Sequence, residues 1–449
     1  MTHQESFDAN ESYDYIICGG GTSGCVIAAR LADNSTASIL IVEAGASNDT
    51  YPATAIPAAV SQILGTEADW NIKSEPCFLV EAAVVMGHWL FVGIDKITII
   101  GALKGGVEMR CSNTCQSTGK SAHGCGHAVR SVSQGTRTMA TDYITSPMKT
   151  SGVSIQTNTY IDRISLETDT AGALRANGVF LQDITGKKSF VKAHKEVVLS
   201  FYEVSKPALT NDHLIWHACG KDKSSAQYRT DKTGFFSQFP FGTFAFARLD
   251  SRLSDSHLWN SAPRTEGLYP MGLSPTQPHV EFWNTECYSP KYMLGTPPPQ
   301  MASEVSLKSS DPTENPIVNH RYLEDPLDML VFSEGCRMAN EIATRGIGTK
   351  DIVIGSWPQS RNHHTFTTRE EWVPIIRSNV DTCYHPAGTC MMGRLDDPLA
   401  VLDENFKVRG ITNLRVADAS VMPFLIGGHP QMPVYGIAEK AADLIISDK

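Results

Sequence analysis

Tyr13-Asp14-Tyr15-Ile16-Ile17-Cys18-Gly19-Gly20-Gly21-Thr22-Ser23-Gly24-Cys25-Val26-Ile27-Ala28-Ala29-Arg30-Leu31-Ala32 decides the fold, together with Ser38-Ile39-Leu40-Ile41-Val42-Glu43 a few residues on. The β-rich run Tyr13–Cys18 reads as a strand, Cys25–Ala32 as a helix, and Ser38–Glu43 as a second strand ending in an acid. Strand, glycine turn, helix, strand and acid make a dinucleotide-binding βαβ unit. Each part has a physical reason. Gly19 permits the tight turn, Gly21 lets the backbone approach a pyrophosphate, and Gly24 lets the helix pack close to the strand. Thr22 and Ser23 lead into the helix, whose N-terminus offers free N–H groups and a positive dipole end to the phosphates. Glu43 stands 19 residues after Gly24 and, with Ala44 beside it, is placed to accept hydrogen bonds from both ribose hydroxyls. That acid disfavours a phosphorylated ribose, hence NADP. The unit alone does not separate NAD from FAD; its place near the start of the chain leans to FAD.

The other end of the chain carries a second dense set of signals between residues 383 and 443. His385 and His429 each precede a proline, in Cys383-Tyr384-His385-Pro386-Ala387-Gly388 and Gly427-Gly428-His429-Pro430-Gln431-Met432-Pro433. Such Gly/Pro turns hold side chains on rigid loops rather than in a core. Asp418-Ala419 follows the apolar run Leu414–Ala417, read as a strand, and so falls where an α/β sheet meets its ligand. Pro430–Pro433 opens a final helix, Val434–Ile446, since proline is tolerated in a first turn. Its N-terminal end, with Pro430 and Gln431, is placed to face a flavin pyrimidine.

Together the two ends resemble the glucose–methanol–choline (GMC) oxidoreductases, flavoenzymes that oxidise alcohols, and among them the fungal aryl-alcohol-oxidase or dehydrogenase type. Asp69-Trp70-Asn71-Ile72-Lys73-Ser74-Glu75-Pro76 is similar to the family's D-W-x-y-x-[ST]-E-P. Gly135–Tyr143 resembles its G-x-R-x-S-x-x-x-Y helix. Asn177-Gly178-Val179 and Ala193–Ser200 resemble strands of its FAD domain. The resemblance implies an α/β FAD-binding domain of Rossmann type plus an α+β substrate domain with an antiparallel sheet. It implies FAD as cofactor, held by Gly19, Gly21, Thr22, Ser23, Gly24, Glu43, Ala44, Trp70, Asp418, Ala419, Pro430 and Gln431. It further implies that His385 takes the hydroxyl proton of a small alcohol while hydride moves to flavin N5. His429, at a position that is His or Asn in relatives, would hold the alkoxide oxygen. Oxygen or a quinone would be the electron acceptor, and secondary metabolism the setting. Two other readings stay open: a lyase or cyclase of the same fold without net redox, and a flavin-free remnant.

The second and third readings are motivated by departures from the family. Residues 77–133 form an atypical segment without the expected loop R-G-K-x-L-G-G-S-S-x-x-N; Lys104-Gly105-Gly106 is its poor counterpart. Phe201-Tyr202-Glu203 stands where the family has small residues. The chain is also short for the family. The expected layout is discontinuous: 12–76, 134–205 and 385–449 in the FAD domain, 206–384 in the substrate domain. Strands are expected at Gly242–Leu249, Pro278–Trp283 and Ser303–Leu307, and a long helix at Pro326–Thr344. Phe282, Trp283, Tyr288, Trp357 and Phe366 are candidates to line a substrate pocket, against a core role for most of them.

Composition bounds the partners. The 449 residues carry 38 Lys and Arg against 48 Asp and Glu, a net charge of −10, which argues against nucleic acid. The 11 cysteines are scattered, with no disulfide framework, and Cys111, Cys115, His123, Cys125 and His127 do not have a zinc spacing, so no metal is expected. Met1–Ser12 is polar and acidic, without the apolar core of a secretory signal, so a cytoplasmic location is expected. Phe78–Ile94 is apolar but contains Glu81 and His88 and falls short of the roughly 20 residues of a membrane span, so no membrane partner is expected.

Overall fold

A computed structural model describes residues 12–47, 50–63, 66, 124–127, 131–145, 152–168, 172–183, 196–198, 201–204, 214, 219–238, 241–264, 270, 277–285, 302–306, 308, 317–320, 323–357, 359–382, 387–423, 426 and 429–448. Strand β1 is Tyr15–Cys18, helix α1 is Thr22–Asn34, and strand β2 is Ile39–Val42. β1 pairs with β2 in parallel, Tyr15 opposite Ile39 and Cys18 opposite Val42. β2 then pairs in parallel with the strand Val153–Gln156. Parallel pairing needs the crossover that α1 supplies, so the βαβ reading is met. All four residues of β2 are buried, as an inner parallel strand requires.

The core explains why the two ends of the chain belong together. Cys25, Val26, Ala28, Ala29 and Leu31 of α1 share one apolar cluster with Ile39 and Ile41 of β2 and with Ala438 and Ala441 of the last helix, Gln431–Ser447. The alanines let the two helices approach closely, while Leu402, Phe406 and Val421 close the cluster from the C-terminal loops. Each large side chain buried there contributes about 1.5–3 kcal/mol. Arg30 and Glu439 clamp the same pair of helices through two bonds of 2.7 Å.

A second unit is built on an antiparallel sheet in the order Val280–Thr285, Phe241–Ala247, Gly124–His127. The helix Pro326–Arg345 packs on it, burying Leu327, Val331 and Met338 against Ala245, Ala247, Leu249 and Trp259. Asp325 caps that helix by accepting the Leu327 N–H at 2.9 Å, with Pro326 in its first turn. Phe282 packs against this core and Phe366 against Trp372, with ring centroids 5.4 Å apart. Both therefore serve packing. The side chains of Trp283, Tyr288 and Trp357 lie outside the described residues.

Two local expectations are corrected. Gly135–Tyr143 is not one helix: Val132–Ser133 and Thr136–Arg137 form a hairpin, and only Asp142–Thr145 is helical. The cause is the turn, where Gln134 and Gly135 both take positive φ (49° and 74°), as a two-residue hairpin demands. Leu414–Ala417 is not a strand; it makes a single bridge, Lys407 to Arg415, because its neighbours are the irregular loops at 401–408. Phe201–Val204 pairs with Val353–Trp357, a strand within residues 206–384. Gly124–His127, inside the atypical segment, pairs with Phe241–Ala247 and so extends the sheet of the second unit. Apart from residues 131–133, the rest of that segment, including Phe78–Ile94 and the glycine pair at 105–106, lies outside the described residues. Among the described residues no helix is long and apolar enough to cross a membrane, and no group of His, Cys, Asp or Glu side chains could hold a metal ion.

Candidate cofactor and active site

The glycine turn has the geometry its sequence calls for. Gly19 sits at φ +105°, a conformation glycine adopts without strain, and its N–H donates to the Val42 carbonyl at 2.8 Å. A Cβ at position 24 would lie 1.9 Å from the Gly19 carbonyl oxygen, so only glycine lets α1 start this close to β1. A Cβ at Gly21 would meet nothing within 4 Å, which leaves open space over the turn. Gly21 begins α1 with no side-chain cap, and the hydroxyl of Ser23 in the first turn is buried without a hydrogen-bond partner. A buried orphan hydroxyl at an uncapped helix start is what an absent anion would satisfy.

Glu43 closes the turn from the side. Its Oε2 accepts the Gly20 N–H and its Oε1 the Gly45 N–H, both at 2.7 Å. Ala44 lies between them on the same loop. Cys25 stays a thiol: burial, with Glu43 adding to it, pushes it up to about 11, and its Sγ donates to the Gly20 carbonyl at 3.1 Å.

At the C-terminal end, Gly388, Cys390 and Met392 donate their N–H groups to the carbonyls of Ala419, Ser420 and Val421, at 3.2, 3.0 and 2.9 Å. Ala387 is buried against Met422 and Val434, the latter in the last helix. Thus the chain two residues beyond His385 packs on the helix that follows His429. Asp418 caps a short turn over Ala419–Val421, accepting the N–H (2.9 Å) and hydroxyl (2.5 Å) of Ser420. Its carboxylate is thereby engaged within its own loop. Pro430 is the N-cap of the last helix and Gln431 its first residue.

His429 meets a partner that sequence reasoning did not single out. Its Nε2 lies 3.0 Å from Oε1 of Glu281, in the strand Val280–Thr285. Val280 and Phe282 pack on the core of the second unit, so the alternation of a strand turns Glu281 to the other face. The signal was present as one acid between two apolar residues in a strand. An ionised carboxylate only accepts, so His429 donates from Nε2, and the bond selects its tautomer and ring orientation. Glu281 is 15% exposed and His429 37%, so the pair is partly shielded from solvent. Of the other candidates, His385 and Trp70 lie outside the described residues.

The comparisons with known proteins now bear on this arrangement. Residues 299–438 match the family model described as GMC oxidoreductase. A GMC-type oxidoreductase of Mycobacterium bovis is 25% identical over 548 aligned positions, covering 97% of this chain and 99% of the relative. Over nearly its whole length the chain is similar to GMC-type oxidoreductases. An oxygen-dependent choline dehydrogenase of Vibrio vulnificus is likewise 25% identical, over 97% of this chain and 94% of its own length. The crystal structure of a formate oxidase superposes with a TM-score of 0.79 at 18% identity, covering 97% of this chain and 98% of its own, which establishes the two-domain fold. Because the alignment with the Mycobacterium relative exceeds the 449 residues of this chain, that relative has internal stretches absent here. The protein is an FAD-dependent oxidoreductase. Its residues fit the cofactor: the orphan Ser23 hydroxyl, the open space over Gly21 and the carboxylate of Glu43 are the donor, room and acceptor that an adenine dinucleotide requires.

Proposed function

We propose that this oxidoreductase oxidises the CH–OH group of a small alcohol, with His385 accepting the hydroxyl proton and His429 holding the substrate oxygen. FAD, when bound, supplies the hydride acceptor. The observation that carries the reading is the Glu281–His429 bond, which joins the start of the last helix to the sheet of the second unit. A hydrogen-bonded imidazole at the junction of two units is where a substrate between them would be oriented. The helix behind it shares its core with α1, so the dinucleotide turn and His429 are parts of one packed body. Glu281 is a positioning residue in this account: it fixes the ring, and the ring meets the substrate. His385 needs only to be neutral and within reach of the hydroxyl to take its proton. The similarity to a choline dehydrogenase supports an alcohol as the substrate class. We assign residues 12–76, 134–200 and 385–449 to the FAD domain and most of 201–384 to the substrate domain.

The test is the visible spectrum of the purified protein. Absorption at about 370 and 450 nm that bleaches when an alcohol is added anaerobically supports the proposal. Bound flavin that no alcohol reduces contradicts it and favours chemistry without net redox.

A further inference from the structure

We infer that Glu43 is the staple that gives the cofactor turn its shape, a role separate from contact with the ribose. The inference rests on the FAD reading for its purpose, but the staple is made by the chain's own groups. One carboxylate spans two loops: Oε2 takes the Gly20 N–H and Oε1 the Gly45 N–H, each at 2.7 Å. Bonds this short to an ionised carboxylate are charge-assisted and stronger than neutral ones. The main chain of the same residue fixes a third segment. The Glu43 N–H donates to the Gln156 carbonyl at 2.9 Å, the Glu43 carbonyl accepts the Thr159 N–H at 3.0 Å, and the Gly45 carbonyl accepts the Asn158 N–H at 3.0 Å. Turn 19–21 and loop 43–45 thus meet at the Glu43 side chain, and turn 156–159 is tied to the main chain of the same loop.

Two glycines without another assigned role support this independently. A Cβ at Gly20 would lie 3.3 Å from the Glu43 Cβ, and a Cβ at Gly45 would lie 3.0 Å from Oε1. Neither needs a left-handed backbone. Both are explained by room for the Glu43 side chain, which a pyrophosphate contact does not explain. An ionised carboxylate has about four acceptor sites, and the two amides use one on each oxygen. One site per oxygen is left, which suits the two adjacent hydroxyls of a ribose. The carboxylate therefore meets the cofactor already oriented, and little order has to be imposed on binding.

The experiment measures amide hydrogen exchange by NMR on the full chain stripped of flavin, and FAD affinity by fluorescence titration. Three variants are compared with the parent: Glu43→Ala, Glu43→Gln and Gly45→Ala. In Glu43→Ala the amides at 20 and 45 should both exchange about tenfold faster or more, and in Glu43→Gln, which keeps one acceptor oxygen, one of them should, while α1 and β2 keep their protection. Gly45→Ala, which leaves Glu43 in place but crowds its Oε1, should weaken FAD binding by about tenfold. Unchanged exchange at 20 and 45 in Glu43→Ala overturns the inference. So does parental FAD affinity in Gly45→Ala. If the parent itself binds no FAD, the cofactor reading fails, and the exchange comparison still decides whether the staple exists.

Discussion

His429 Nε2 stands 3.0 Å from Glu281 Oε1, a bond that joins residues 148 positions apart in the chain. The last helix brings one partner and the antiparallel sheet the other, so the bond forms only when both units are folded and in contact. Its direction follows from chemistry, because the carboxylate can only accept.

Variants at the two positions should therefore differ in kind. Glu281→Ala should slow flavin reduction by alcohol by roughly 10–100-fold, the range for losing a hydrogen bond to a charged group. Glu281→Gln should be milder, since its carbonyl can still accept from Nε2. His429→Asn should cost less than His429→Ala, because an amide can still hold the substrate oxygen. Anaerobic single-turnover reduction reads all four. Parental rates in Glu281→Ala would leave the bond without a catalytic role.

Glu334 predicts an acid-sensitive second unit. Its side chain is fully buried, and its Oε1 accepts from Arg252 at 2.6 Å and Arg337 at 2.7 Å, its Oε2 from Arg369 at 2.6 Å. Burial alone would raise its pKa, but hydrogen bonds from the three guanidiniums outweigh this and hold it below the usual carboxylate range. The folded value is below the unfolded one. The stabilisation is therefore present above the unfolded value and is lost as pH falls through the folded one. Glu334→Ala leaves three arginines facing each other and should cost about 3–5 kcal/mol at pH 7. Urea unfolding of Glu334→Gln and the parent should show a gap at pH 7 that narrows below about pH 4. A gap independent of pH contradicts the assignment.

Two glycines three residues apart should fail differently. Gly24→Ala places a Cβ 1.9 Å from the Gly19 carbonyl oxygen and 3.2 Å from Ile17 Cγ2. The backbone must shift, at a cost of about 1–3 kcal/mol, visible as a lower Tm. Gly21 lies at φ −76°, and a Cβ there would meet nothing within 4 Å, so the fold tolerates alanine. The added methyl would occupy the space over the turn, so Gly21→Ala should keep its Tm and lose FAD affinity. Equal behaviour of the two variants in both measurements would contradict the division of roles.

The elements that sequence reading located are those set by local period. β1, α1, β2, the helix Pro326–Arg345 and the last helix each carry a run long enough, or a cap or glycine specific enough, to specify themselves. What it misplaced depends on partners distant in the chain. Leu414–Ala417 has the apolar run of a strand but no neighbouring strand to pair with over its length. Phe201–Val204 keeps its strand character, but its partner Val353–Trp357 lies about 150 residues away, and no local pattern names it. Glu281 was overlooked for the same reason: an acid in a strand is an ordinary solvent-facing residue until His429 is placed opposite it. The glycine turn and its acid were legible because the bond that joins them spans only about 25 residues, from Gly20 to Glu43; the main-chain bonds of Glu43 to Gln156 and Thr159 were not.

The central claim is alcohol oxidation with His385 as the proton acceptor. It is tested most directly by anaerobic stopped-flow reduction of the bound flavin, parent against His385→Ala, with an alcohol that bleaches the parent. The account predicts that His385→Ala binds FAD as the parent does and is reduced about 10²–10⁴-fold more slowly, the loss expected for a general base. Reduction of His385→Ala at the parental rate would contradict it.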